Sequence, residues 1–155
     1  MFEKILVCLD SSKLAEQILP YVTEQAARFN SKVVFLQAFV IPSTVAAAEV
    51  EATPAISNDL LQEEAHRLEA KSKAYLEEAA TPLREKGIDV ACVTLQGIAG
   101  EVIVNYSHNE PVDLIALATH GHSGLGRVIF GSVADYVLRK SGLPTLVIKP
   151  QEIEA

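Results

Sequence analysis

Residues 113–132, Asp-Leu-Ile-Ala-Leu-Ala-Thr-His-Gly-His-Ser-Gly-Leu-Gly-Arg-Val-Ile-Phe-Gly-Ser, hold the groups in this chain best suited to grip an anion. Leu114 to Ala118 is an apolar run, short and uniform enough to be a strand buried on both faces of a parallel sheet. Four of the eight glycines, Gly121, Gly124, Gly126 and Gly131, follow within eleven residues. Without a Cβ they let a ligand approach the backbone. The last precedes Ser132 at the start of an amphipathic segment, Val133 to Lys140, whose first-turn N–H groups have no acceptor inside the helix. Strand, loop and helix start together describe a phosphate cradle centred on Gly131 and Ser132. A helix terminus alone supplies ~0.3–1 kcal/mol toward an exposed anion, and each hydrogen bond to a charged group roughly 1.5–3 kcal/mol, so several amides must converge. The plainer reading makes Ser132 an N-cap, with Asp135 completing a capping box and Gly131 permitting a turn. It leaves three loop glycines without a role.

Two familiar phosphate motifs are excluded. Gly121 to Val128 nearly spells a P-loop, but Arg127 replaces the lysine and Val128 the magnesium-binding hydroxyl. A dinucleotide fingerprint needs glycine where Ile129 stands, and belongs after a first strand rather than a late one. Catalytic groups are equally incomplete. His120 and His122 share one side of an extended segment, a spacing that would suit a metal pair, but no third ligand follows at a useful spacing. His120 and Thr119 are expected to line the loop, His122 to face solvent, and Arg127 either to reach phosphate oxygens or to lie in water. Neither a catalytic residue nor a metal site is assigned.

These residues need a frame. Lys4 to Leu9 reads as the first, central strand and places Asp10 at its carboxyl end, facing the crevice where open parallel sheets bind ligands. Asp10, Ser11 and Ser12 are also good helix caps. A helix is expected from about Ser12 to Phe29, with Ala15, Ile18, Val22, Ala26 and Phe29 inward and a kink at Pro20. Lys32 to Phe39 is the second strand, ending beside the crevice at Ala38. Val40 to Ser57 has no period and reads as a long loop, either a lid or an excursion. Leu61, Ala65, Leu68, Ser72, Tyr75, Ala79 and Leu83 step along one face of a second helix that stops at Lys86-Gly87, with His66 on its solvated flank. A third strand over Ile88 to Leu95 lies near a sheet edge. Gly97 and Gly100 start a third helix with Val102, Ile103 and Tyr106 inward, and Asp113 is a structural turn residue at the far end from the crevice. The last helix turns Val133, Val137 and Leu138 inward and ends at Ser141-Gly142-Leu143-Pro144; Thr145 to Ile148 is the last strand. Residues 1–150 form one domain, with 151–155 a disordered tail. The class is a doubly wound α/β sheet of five parallel strands with helices on both faces.

A net charge of −7 over 155 residues, with a pI near 5.1, argues against nucleic acid as a partner, because the phosphate backbone would be repelled. Cys8 and Cys92 lie in apolar strand-like runs and read as buried, reduced thiols. The opening Met1-Phe2-Glu3-Lys4 begins no signal peptide and no apolar run reaches membrane-spanning length, so a cytoplasmic protein without membrane attachment is expected.

The stretch from Gly121 to Gly131-Ser132 resembles the nucleotide signature of the universal stress protein family, Gly-x2-Gly-x9-Gly-Ser/Thr. The first glycine of that pattern falls on Ala118, a departure that adds a methyl group where the ligand would pass. The resemblance implies the strand order 3-2-1-4-5 and a fold like that of the adenine nucleotide alpha hydrolases. It also implies an adenine nucleotide as ligand, ATP, ADP or AMP, with Mg2+ or Mn2+ able to accompany it, and at most slow hydrolysis. Carried over, its contacts fall on Leu9, Asp10, Ala38 (through backbone), Leu117, Ala118, His120, Gly121, Gly124, Arg127, Gly131, Ser132 and Val133. It further implies a stress-response regulator that pairs as a homodimer along Thr145 to Ile148, which would otherwise be a bare apolar edge. Two other classes lack their motifs in this chain. An adenylate-forming or ATP-cleaving enzyme would carry Ser-Gly-Gly-x-Asp-Ser where this chain has Leu-Asp-Ser-Ser-Lys. A phospho-receiver would need an aspartate after the third strand, where Thr94-Leu95-Gln96 stands.

Overall fold

The computed structural model describes residues 1–42, 54–119 and 131–152, and for 54–57 the backbone only. Most of the expected 40–57 loop, the loop glycines Gly121, Gly124 and Gly126, and residues 153–155 lie outside the described residues.

The described elements run β1 (Lys4–Cys8), α1 (Lys13–Glu16), α2 (Leu19–Phe29), β2 (Lys32–Phe39), α3 (Pro54–Glu85), β3 (Val90–Gln96), α4 (Ala99–Asn109), β4 (Leu114–Ala118), α5 (Ser132–Lys140) and β5 (Thr145–Ile148). Five parallel strands form one sheet in the order β3-β2-β1-β4-β5, as the resemblance implied. The register sets Leu6 against Val34 on one side and against Ile115 on the other. Chain direction along the sheet therefore reverses between β1 and β4, and a crevice opens at their carboxyl ends.

Alternation along the buried strands sends side chains into two cores. Ile5, Val7, Val33, Phe35, Leu114 and Ala116 pack beneath α1, α2 and α3, against Ala15, Ile18, Val22, Leu76 and Ala80. Leu6, Val34, Leu36, Ile115 and Leu117 pack on the other face against Ile103, Val104, Ala134 and Val137 of α4 and α5. Each fully buried aliphatic side chain contributes about 1.5–3 kcal/mol, so the two-faced strands supply most of the driving force.

Besides Phe29, expected inward but 47% exposed, three expectations about helices need correction. The predicted first helix is broken rather than kinked. Gln17 and Ile18 close tight turns onto the Leu14 and Ala15 carbonyls, and α2 restarts with Pro20 in its first turn, where a missing N–H costs nothing. Second, α3 begins at Pro54, inside the stretch read as loop. Its buried line runs through Ser72, Leu76, Ala80 and Leu83, while Leu61, Ala65 and Leu68 are half-buried and His66 is exposed as expected. Third, Leu138 faces solvent at 45% exposure, and Ala134 takes the inward place beside Val137. The stop at Lys86-Gly87 is observed: Gly87 takes φ +82°, and the Lys86 and Ile88 amides both return to the Leu83 carbonyl. Gln151 exchanges two hydrogen bonds with Gln17, at 2.8 and 2.9 Å, so the chain just past β5 is tied to the α1–α2 break.

Candidate functional site

β1 ends in apolar residues and then meets Asp10, Ser11 and Ser12, three polar residues that trade backbone for side-chain hydrogen bonds. The Leu9 amide still bonds the Leu36 carbonyl at 3.0 Å, so the turn starts from the sheet. The Asp10 carboxylate (Oδ1) accepts the Ser12 amide at 2.9 Å, an Asx turn, and Asp10 is exposed at the crevice mouth. Helix capping falls to Ser12, whose Oγ accepts the Ala15 amide at 3.1 Å. Ser11, between them, takes the left-handed conformation with φ +69°, which costs a non-glycine residue about 1–2 kcal/mol. A buried side chain holds it there: Gln37 Nε2 donates to Ser11 Oγ at 2.8 Å.

Across the switch, β4 delivers Leu117 and Ala118, both buried, and then Thr119, whose amide bonds the Ile148 carbonyl at 2.9 Å. The departure at Ala118 is seated inside the sheet opposite Ile148. α5 begins at Ser132, with Gly131 as its N-cap residue. The capping box fails, because a glycine has no side chain to cap with and Ser132 is already the first helical residue. Gly131 has φ −52° and ψ 150°, which any residue can adopt, so this position does not require the conformational freedom of glycine. The first bond of the helix ladder runs from the Asp135 amide to the Gly131 carbonyl at 3.0 Å. The amides of Ser132, Val133 and Ala134 precede that ladder and have no acceptor within the helix. Ser132 is exposed and Val133 half-buried against the α4–α5 core.

The structure thus brings Asp10, Gly131, Ser132 and Val133 to one end of the sheet, at the ends or starts of elements flanking the switch. Leu9 and Leu117 are 4% and 3% exposed, so their side chains belong to the cores and only their backbone can border a ligand. Ala38 is half-buried at the end of β2, in register with Leu95. His120, Gly121, Gly124 and Arg127 lie outside the described residues, as does the histidine pair considered for metal. Among the described residues, no three His, Cys, Asp or Glu side chains gather as a metal site. Gln37 has no role in the sequence reading, and Ser11 only that of a possible helix cap. The signal was present, since Gln37 is the one polar side chain inside the apolar run from Val33 to Phe39.

Both thiols are held in the neutral form by their surroundings. Burial pushes Cys8 up to about 12 and Cys92 up to about 11, both from 9.0, and the nearby Glu77 carboxylate adds to the rise at Cys92. Both are free cysteines.

Fold and site define a class: a doubly wound α/β domain with a crevice at the β1/β4 switch point. The model of the universal stress protein family matches residues 1–149, and the chain belongs to that family. A universal stress protein of Methanocaldococcus jannaschii is 26% identical over 154 residues, covering 99% of this chain and 86% of the relative. The solved structure of another protein of that organism superposes with a TM-score of 0.78 at 28% identity, covering 99% of each chain. Two more distant structures share the fold. One is a universal stress protein in complex with cAMP (TM-score 0.67, 18% identity, 97% and 98% coverage). The other is an Arabidopsis thaliana family member with AMP bound (TM-score 0.64, 19% identity, 96% and 92% coverage). No helix among the described residues is long and apolar enough to cross a membrane.

Proposed function

We propose that this protein is a cytoplasmic, homodimeric stress-response regulator that binds an adenine nucleotide, ATP, ADP or AMP, with Mg2+ or Mn2+ able to accompany the phosphates. The observation that carries the reading is the meeting of opposite chemistries at one switch point. The Asp10 carboxylate offers acceptors suited to ribose hydroxyls, and the Ser132 and Val133 amides offer donors suited to phosphate. The relatives solved with AMP and with cAMP support it, since both ligands are adenosine carrying a phosphoryl group. In this reading the Ala38 backbone meets the base and the backbone of Leu9, Leu117 and Ala118 forms the floor. Gly131 leaves room for phosphate, and His120, Gly121, Gly124 and Arg127 complete the loop around it.

Calorimetric titration with ATP, ADP, AMP and GTP tests the site. Adenine nucleotides bind in preference to GTP, and Asp10→Ala and Gly131→Arg each weaken binding by about tenfold or more, as expected when a charge-assisted hydrogen bond is lost or a side chain fills the cradle. Unchanged affinity in both variants overturns the assignment. Sustained turnover of ATP with an acceptor would instead favour an ATP-cleaving enzyme. The dimer reading is supported by β5, which among the described residues pairs only with β4 and sends Leu146 and Ile148 to one core and Val147 to the other. Native mass measurement is expected to give twice the chain mass, and Thr145→Pro on the outer edge to give the monomer.

A further inference from the structure

Gln37 occupies an unusual place. It is 8% exposed and shares its face of β2 with Val33 and Phe35 of the core under α1–α3, one turn of the pleat nearer the crevice end of the strand. Its Nε2 donates to Ser11 Oγ at 2.8 Å, while its Oε1 is buried without a hydrogen-bond partner among the described residues. A half-satisfied amide in an apolar layer is unfavourable for folding, so its contribution must lie elsewhere. The hydroxyl it grips belongs to the residue with φ +69°, immediately after Asp10. Residues in sparsely populated conformations persist only where their surroundings over-determine them, and here three bonds do so. Leu9 N–H reaches Leu36, Ser11 Oγ accepts from Gln37, and Ser12 N–H reaches the Asp10 carboxylate. Releasing the middle one lets Ser11 return to negative φ, which rotates the peptide planes on either side and re-aims Asp10.

We propose that Gln37 is a positioning residue that acts through Ser11 to hold the Asp10 carboxylate toward the crevice. The proposal rests on the nucleotide-site reading above for its consequence, but not for its geometry. No ligand need touch Gln37, because its action passes along the turn.

The test combines AMP calorimetry with NMR hydrogen exchange at the Ser12 amide of the unliganded protein, for wild type, Gln37→Met, Ser11→Ala, Asp10→Ala and the Gln37→Met/Asp10→Ala pair. Gln37→Met and Ser11→Ala each weaken AMP binding about 3- to 10-fold, the range for one lost hydrogen bond, and each speeds Ser12 exchange. Gln37→Met has no further effect on AMP affinity in the Asp10→Ala background. A Gln37→Met protein with a lower Tm but wild-type AMP affinity and Ser12 exchange overturns the proposal, as does an equal loss with and without Asp10. If wild type binds no AMP, the nucleotide reading falls. Ser12 exchange then decides the rest: faster exchange upholds Gln37 as holder of the turn, and unchanged exchange overturns it. Should Gln37→Met fail to fold, Ser11→Ala breaks the same bond from the exposed side.

Discussion

Lys4 and Asp113 exchange two hydrogen bonds across the amino ends of β1 and β4. The Lys4 amide donates to the Asp113 carboxylate at 2.9 Å, and the Asp113 amide donates to the Lys4 carbonyl at 2.9 Å. This pins the register of the two strands between which the crevice opens at the other end. Asp113→Ala is therefore expected to lower stability by about 1–2 kcal/mol, the value of a part-exposed hydrogen bond to a charged acceptor, without changing nucleotide affinity. Denaturant unfolding alongside AMP titration checks both halves. A large affinity loss would make Asp113 a site residue after all.

Gly100 sits where α4 meets α5. A Cβ there would stand 2.9 Å from Tyr136 Cδ1 and 3.2 Å from its Cβ, too close for the ring to clear by rotation alone. Gly100→Ala should destabilise by about 1–3 kcal/mol despite the better helix propensity of alanine, because overpacking separates two helices of one core. Tyr136→Ala in the same chain should return part of that loss, and denaturation midpoints of the single and double variants measure it.

Arg84 reaches from α3 to the Val90 carbonyl with Nε at 3.2 Å and Nη2 at 2.7 Å, and pairs with Glu77. It thereby caps the start of the edge strand β3. Arg84→Ala should lower stability by about 1 kcal/mol and promote edge-to-edge association, since an exposed ladder group is restored. Thermal unfolding with light scattering at fixed concentration is the check, and Lys, lacking the fork, should not rescue.

The thiols predict alkaline behaviour. Both pKa values are raised in the folded chain above 9.0, to about 11 at Cys92 and about 12 at Cys8. The neutral thiol is the folded form, so their contribution is fully present below pH 9 and is lost as pH rises through about 11 and then about 12. Iodoacetamide at pH 8 should leave both cysteines unmodified in the native protein and label both in denaturant, with Cys92 the first to react as pH is raised.

Much of this was legible in the residues themselves. Runs such as Ile5–Cys8 and Leu114–Ala118 are apolar at every position, so a two-faced parallel sheet was the only economical burial, and the alternation of strands with helical periods ordered the layers. Asp113 could be assigned to structure because the turn before β4 must lie opposite the crevice. Finer detail was not legible. Leu138 looks inward on a helical wheel until Ala134 is found nearer the core, where a smaller side chain admits closer helix approach. Ser132 looks like an N-cap because serine favours that place, but helix α5 starts one residue earlier than the pattern suggests. The Ser11–Gln37 bond spans 26 residues, and a contact made by tertiary packing leaves no local pattern to read.

The two helices that begin at the crevice leave it toward opposite faces: α1 lies over the core containing Ile5 and Phe35, α5 over the core containing Leu6 and Ile115. A guest bridging Asp10 and the start of α5 would rivet two otherwise separate hydrophobic layers through the sheet's midline. Occupancy would then be felt across the whole domain as resistance to heat, growing with the logarithm of ligand concentration above the dissociation constant.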